Sequence, residues 1–141
     1  MFRNLQAVIL AGGRGTRLGS LGDKIPKAMV DINGTPFIDL LINQLKKNRI
    51  NKCLLLTGYR KNQLIDYYRD NKDILTIKGN SNWQTLTRIK KAEKFIKSQF
   101  FLLMYCDNFL INFKLKKFFL LKKKYKSNIF FSVVKKKSGQ K

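Results

Sequence analysis

Ala7-Val8-Ile9-Leu10-Ala11-Gly12-Gly13-Arg14-Gly15-Thr16-Arg17-Leu18, with Pro26-Lys27 a little further on, is the stretch from which the rest of the chain can be read. Its apolar start, Ala7 to Leu10, has the character of a buried strand that delivers a loop to the edge of a sheet. Glycines at 12, 13 and 15 allow positive φ and let backbone N–H groups approach a guest without Cβ interference. Arg14, Arg17 and Lys27 set cations on the same loop, so the expected guest is a polyanion, and a phosphate chain fits best. Two familiar glycine motifs do not apply. A P-loop needs Gly-Lys-Ser/Thr, which is absent, and a dinucleotide fingerprint needs a third glycine where Leu18 stands. The plainer reading is a glycine turn at a strand end carrying two solvated arginines.

Outward from this loop, strand and helix patterns alternate. Asn33-Gly34-Thr35-Pro36 predicts a turn, and Pro36 suits the first turn of a helix over 37–47 with a polar face at Asp39, Asn43 and Lys46. A strand over 53–57, a short helix over 62–68 and a third strand over 73–78 follow. Positions 86, 89, 92, 95 and 96 give an amphipathic helix over 85–98 with its lysines outward. Phe100 to Cys106 is a continuous apolar run, as expected of a central parallel strand buried on both faces, and Asp107-Asn108 ends it. A helix over 115–125, a strand over 128–134 and a basic tail over 135–141 complete the reading. This pattern predicts a Rossmann-like α/β fold, an open and mostly parallel sheet with helices on both faces, as one domain over 1–141. Such sheets bind ligands beyond the C-terminal ends of their strands, which places the glycine loop and Asp107 on one edge.

Composition narrows the function classes. With 44% hydrophobic residues, 141 residues suffice for a core. No apolar run is long enough to span a membrane, and the first strand begins too early to leave room for a signal peptide. Cys53 and Cys106 sit in apolar strands and read as buried free thiols, so a cytoplasmic setting is expected. The net charge of +22 invites a nucleic-acid reading, with the lysine-rich end as the binding module. Lysine outnumbers arginine 23 to 7, however, and its spacing between apolar positions is that of a solvated helix face.

Taken together, Leu10-Ala11-Gly12-Gly13-Arg14-Gly15-Thr16-Arg17-Leu18, Pro26-Lys27-Ala28-Met29 and Asn33-Gly34-Thr35-Pro36 resemble the signature of the sugar-phosphate nucleotidyltransferases. These enzymes join a sugar 1-phosphate to a nucleoside triphosphate and release pyrophosphate, feeding polysaccharide or glycoconjugate synthesis. The resemblance leans towards the mannose- or heptose-1-phosphate guanylyltransferases, beside the glucose-1-phosphate thymidylyl- and uridylyltransferases. It implies nucleotide binding by Leu10, Ala11, Gly12, Gly13, Arg14, Gly15, Thr16 and Thr85. By the same resemblance Arg17 would hold the leaving pyrophosphate and Lys27 would bridge the α-phosphate and the incoming sugar phosphate. Mg²⁺ is the implied cofactor, with Asp107 as its ligand, although a cysteine precedes Asp107 where the family commonly has glycine. Of the family's Glu-Pro-Leu-Gly-Thr-like loop, the stretch Ser81-Asn82-Trp83-Gln84-Thr85 keeps only Thr85. Family members also run on beyond Lys141 to supply a sugar pocket and a second metal-binding aspartate, so the expectation is a chain lacking its acceptor half. A catalytically impaired nucleotide-binding remnant therefore stays open as an alternative. The expected partners are a nucleoside triphosphate and a sugar 1-phosphate, with neither membrane nor nucleic acid, and a homo-oligomer is compatible with this reading.

Overall fold

The structure, a computed structural model, describes residues 4–109, 114–117, 120 and 124. Two units are distinguished, Met1–Phe109 and Leu110–Lys141. The first contains four parallel strands, β1 (Gln6–Ala11), β4 (Lys52–Thr57), β5 (Ile74–Ile77) and β6 (Phe101–Tyr105), in the order β5-β4-β1-β6. A small antiparallel hairpin of β2 (Asp31–Ile32) and β3 (Thr35–Pro36) stands apart from this sheet. Helices α1 (Phe37–Lys47), α2 (Lys61–Tyr67) and α3 (Thr85–Ala92) fill the connections, so the open parallel α/β sheet expected from the sequence is present.

β1 and β4 sit in the middle, in register from Gln6 beside Lys52 to Ala11 beside Thr57. Every residue of β1 is buried, and so is every residue of β4 after Lys52. A strand covered on both faces has no polar positions to spare, which is why these segments read as unbroken apolar runs. On one face Val8, Leu10, Leu54 and Leu56 cluster with Ala92 of α3, and Ile89, Phe95 and Ile96 pack against the group. Alternation turns Ala7, Ile9, Cys53 and Leu55 to the opposite face, where they too are buried. α1 hides Ile38, Leu41, Ile42 and Leu45, the spacing of one helical stripe. Gln6, the buried polar residue at the start of β1, is fully used: its amide oxygen accepts from the backbone N–H groups of Lys97 (2.5 Å) and Ser98 (3.0 Å).

Two expectations are corrected. Phe100 to Cys106 does not form a doubly buried central strand: β6 lies at the sheet edge among the described residues, and Phe101, Leu103 and Tyr105 are exposed. Periodicity alone does not distinguish a strand with one neighbour among the described residues from a central one. The helix expected over 85–98 stops at Ala92 and tightens into a 3₁₀ turn, Glu93–Phe95. Ile89, Ala92, Phe95 and Ile96 face the core as expected, whereas Leu86 is 79% exposed and Arg88 only 8%. In the second unit, residues 115–117, 120 and 124 are helical, as expected there. The strand expected over 128–134 and the tail over 135–141 lie outside the described residues. Among the described residues no helix is long and apolar enough to cross a membrane.

Candidate functional site

The C-terminal ends of the parallel strands open onto a cleft of about 610 Å³. Its near wall is the loop after β1. Gly15 takes φ of 65°, a left-handed conformation that favours glycine, and its carbonyl then accepts from the Leu18 N–H at 2.8 Å to start the 3₁₀ turn Thr16–Leu21. The three loop glycines are not equivalent. Space beside Gly13 is open, whereas a Cβ on Gly12 would collide with the Arg88 guanidinium. Arg17 and Thr16 line the cleft from this turn. Arg14 instead stacks over the Tyr59 ring, 5.4 Å from its centroid, with Arg60 at 5.6 Å from the same ring.

Lys27 enters from a second 3₁₀ turn, Lys27–Met29, launched by the extended Pro26. Its stem lies against the loop, since a Cβ on Gly15 would approach Lys27 Cβ to 3.2 Å. Asp107 arrives from β6, placed by the Cys106 N–H donating to the Leu10 carbonyl at 3.1 Å. The Lys27 ammonium donates to the Asp107 carboxylate at 2.5 Å, a contact spanning 80 residues of sequence. Both side chains remain about a third or more exposed, so this pair is worth little as stability and stands at the cleft's rim. Cys106 lines the same cleft with its thiol pushed up to about 11, by burial first and the neighbouring Asp107 charge second.

Of the residues singled out from sequence, Leu10, Gly12, Gly13, Gly15, Thr16 and Arg17 are brought to this one cleft. Lys27, Thr85 and Asp107 join them there. Ala11 is buried behind the loop, and Arg14 is engaged with Tyr59. One residue was missed. Arg88, on α3, also lines the cleft and donates to three backbone carbonyls: Nη1 to Thr57 at 2.9 Å, Nε to Trp83 at 2.9 Å and Nη2 to Ser81 at 3.1 Å. The usable signal was the helical face shared by Arg88, Ile89 and Ala92, which outweighs the apolar character of Leu86.

Asp107 is a lone carboxylate here. Among the described residues no group of three or more His, Cys, Asp or Glu side chains could hold a metal. Such a donor set suits Mg²⁺ better than zinc or calcium, because Mg²⁺ takes few carboxylates and completes its shell with water and substrate phosphates. The remainder of the cleft is cationic, with Arg17, Lys27 and Arg88 against the single acid.

The parallel-sheet fold that carries this cleft is matched in known proteins. The family model described as nucleotidyl transferase matches residues 6–141. The chain belongs to the nucleotidyltransferase family. It is 36% identical over 99 residues to the bifunctional protein GlmU of Methanococcus maripaludis, covering 70% of this chain and 24% of that protein. It is 35% identical over 102 residues to the D-glycero-alpha-D-manno-heptose 1-phosphate guanylyltransferase of Campylobacter jejuni, covering 70% of this chain and 46% of that one. HddC from Yersinia pseudotuberculosis, solved in complex with GMP-PN, matches with a TM-score of 0.73 at 34% identity, over 84% of this chain and 54% of that chain. This nucleotidyltransferase chain thus spans about half the length, or less, of the relatives it matches.

Proposed function

We propose that this chain binds a nucleoside triphosphate in the cleft and transfers its nucleotidyl group to a sugar 1-phosphate. An oxygen of the sugar phosphate attacks the α-phosphorus in line. The bond from that phosphorus to the bridging oxygen of the β-phosphate breaks, and pyrophosphate leaves with the electron pair. No covalent enzyme intermediate is required, so the protein's work is positioning and charge neutralisation. Backbone N–H groups around Gly12, Gly13 and Gly15, in the segment Leu10 to Thr16, receive the β- and γ-phosphates. Arg17 holds the departing pyrophosphate, Lys27 bridges the α-phosphate and the acceptor phosphate, and Thr85 sits on the nucleoside side.

The observation that carries this reading is the 2.5 Å contact of Lys27 with Asp107 at the mouth of the glycine loop. A cation and a metal-competent carboxylate meet there although nothing local in the sequence joins them. Asp107 would hold Mg²⁺, whose chemistry is to neutralise the phosphate oxygens and orient the triphosphate. Guanine is the base we favour and a heptose or mannose 1-phosphate the acceptor, supported by the guanylyltransferase relative. The product would feed polysaccharide synthesis. The two buried thiols, both free, suit a reducing, cytoplasmic setting.

Pyrophosphate release, measured with Mg²⁺ across the four common triphosphates and a panel of sugar 1-phosphates, tests the proposal. Release with at least one pair, abolished by omitting the sugar phosphate, is the expected result. Triphosphate binding without release would leave a nucleotide-binding remnant, and no binding of any nucleotide would end the reading altogether.

A further inference from the structure

Three parallel strands end in glycines that leave no room for a side chain. Gly12 follows β1, Gly58 follows β4 and Gly79 lies just beyond β5. A Cβ on Gly12 would lie 1.8 Å from Arg88 Nη1, and one on Gly58 would lie 2.3 Å from that atom and 2.6 Å from the Gly12 carbonyl oxygen. On Gly79 it would come within 2.1 Å of the Thr57 carbonyl oxygen, itself an acceptor of Arg88. The strand ends are therefore pared back around one guanidinium.

Arg88 is 8% exposed as a residue, yet among the described residues its guanidinium meets no carboxylate. Each of its three nitrogens donates to a backbone carbonyl, Nη1 to Thr57, Nη2 to Ser81 and Nε to Trp83, and none of these acceptors carries a charge. Burying a cation without a counter-charge is costly, and an apolar residue on this face of α3 would pack the core at lower cost. The expense makes sense if a polyanion enters the cleft beside it. The three carbonyls also matter for what they join. Thr57 ends β4, whereas Ser81 and Trp83 belong to the segment 81–85 that also lines the cleft.

We propose that Arg88 is a positioning residue for the nucleoside: its planar fork ties the Ser81–Gln84 wall to the strand ends, and its uncompensated charge draws the triphosphate in. This rests on the nucleotide reading above and extends it to a residue outside the loop motif. Lysine would keep the charge and lose the fork.

Trp83 is the sole tryptophan of the chain and its carbonyl accepts from Arg88 Nε, so its fluorescence reports the wall directly. In Arg88→Lys the emission should shift to the red and become more accessible to acrylamide in the absence of any ligand. Triphosphate binding should weaken about 10-fold while inorganic tripolyphosphate, which has no nucleoside to position, binds within about 2-fold of the parent. Gly12→Ala reaches the same group from the other side, by displacing the guanidinium, and should reproduce the Trp83 shift. Because removing the guanidinium frees that space, Arg88→Ala with Gly12→Ala should be no worse than Arg88→Ala alone. Unchanged Trp83 emission and quenching in both single variants would overturn the proposal, as would triphosphate and tripolyphosphate affinities that fall equally in Arg88→Lys. If the parent chain binds no triphosphate the nucleotide reading fails separately, and the Trp83 measurement still decides whether Arg88 holds the wall.

Discussion

Arg17 and Lys27 reach one cleft from two separate 3₁₀ turns, and neither is part of the packed core. Their removal should therefore act on the reaction and spare the fold. Arg17→Ala and Lys27→Ala are each expected to lower turnover by about 10²–10⁴-fold, the scale of a lost transition-state charge contact, with an unchanged urea midpoint. Asp107→Asn should chiefly alter the dependence on Mg²⁺; an unaltered Mg²⁺ titration in that variant would make Asp107 a turn cap and no more. Cys106 gives a pH test in the same place. Burial and Asp107 raise its thiol from 9.0 to about 11, so its thiolate fraction at pH 8 should be about 100-fold below that of a free cysteine. Iodoacetamide should label it correspondingly slowly. Since the folded protein holds this proton more tightly than the unfolded chain, its contribution to stability is complete below pH 9.0 and is lost as pH rises towards about 11. A urea midpoint that rises across this range would contradict the assignment.

Between elements, the informative contact joins α1 to the end of α2. Asp39, in the first turn of α1, accepts from the Tyr67 hydroxyl at 2.5 Å and also from the Tyr68 hydroxyl. Tyr68 is 5% exposed, and burial together with Asp39 pushes its hydroxyl far above the ordinary tyrosine range, so it remains a donor at every practical pH. Asp39→Ala strands that buried hydroxyl and should cost about 1–3 kcal/mol, whereas Tyr68→Phe removes donor and need together and should cost about 1 kcal/mol. Urea denaturation of both variants checks the order; a costlier Tyr68→Phe would show that the Tyr68 hydroxyl has another partner. Element boundaries followed local chemistry where that chemistry was strong. α1 runs over 37–47 as expected, opened by Pro36 and faced by a clean apolar stripe. α3 followed in part: Ile89 and Ala92 face the core as expected, but the helix ends at Ala92, and its first turn leaves Leu86 exposed while Arg88 is buried against the glycines at the strand ends.

Across the whole molecule the net charge of +22 should act as a field more than as a set of contacts. Raising NaCl from about 50 to 300 mM is expected to weaken triphosphate binding about 5-fold or more, while the Trp83 signal of the free protein stays constant. Affinity insensitive to salt would mean that the cleft's cations are locally compensated.

The sequence by itself determined the class of fold, the sheet edge on which the loop and Asp107 lie, and the loop. Alternating periods of two and 3.6, an unbroken apolar β1 and glycines at 12, 13 and 15 are local signals that burial and backbone freedom make legible. The meeting of Lys27 with Asp107, the edge position of β6 among the described residues and the burial of Arg88 beneath Gly12 were decided only by the tertiary structure. Each depends on which strand lies beside which, and on the space left when they do, and neither quantity is carried by the periodicity of a single segment.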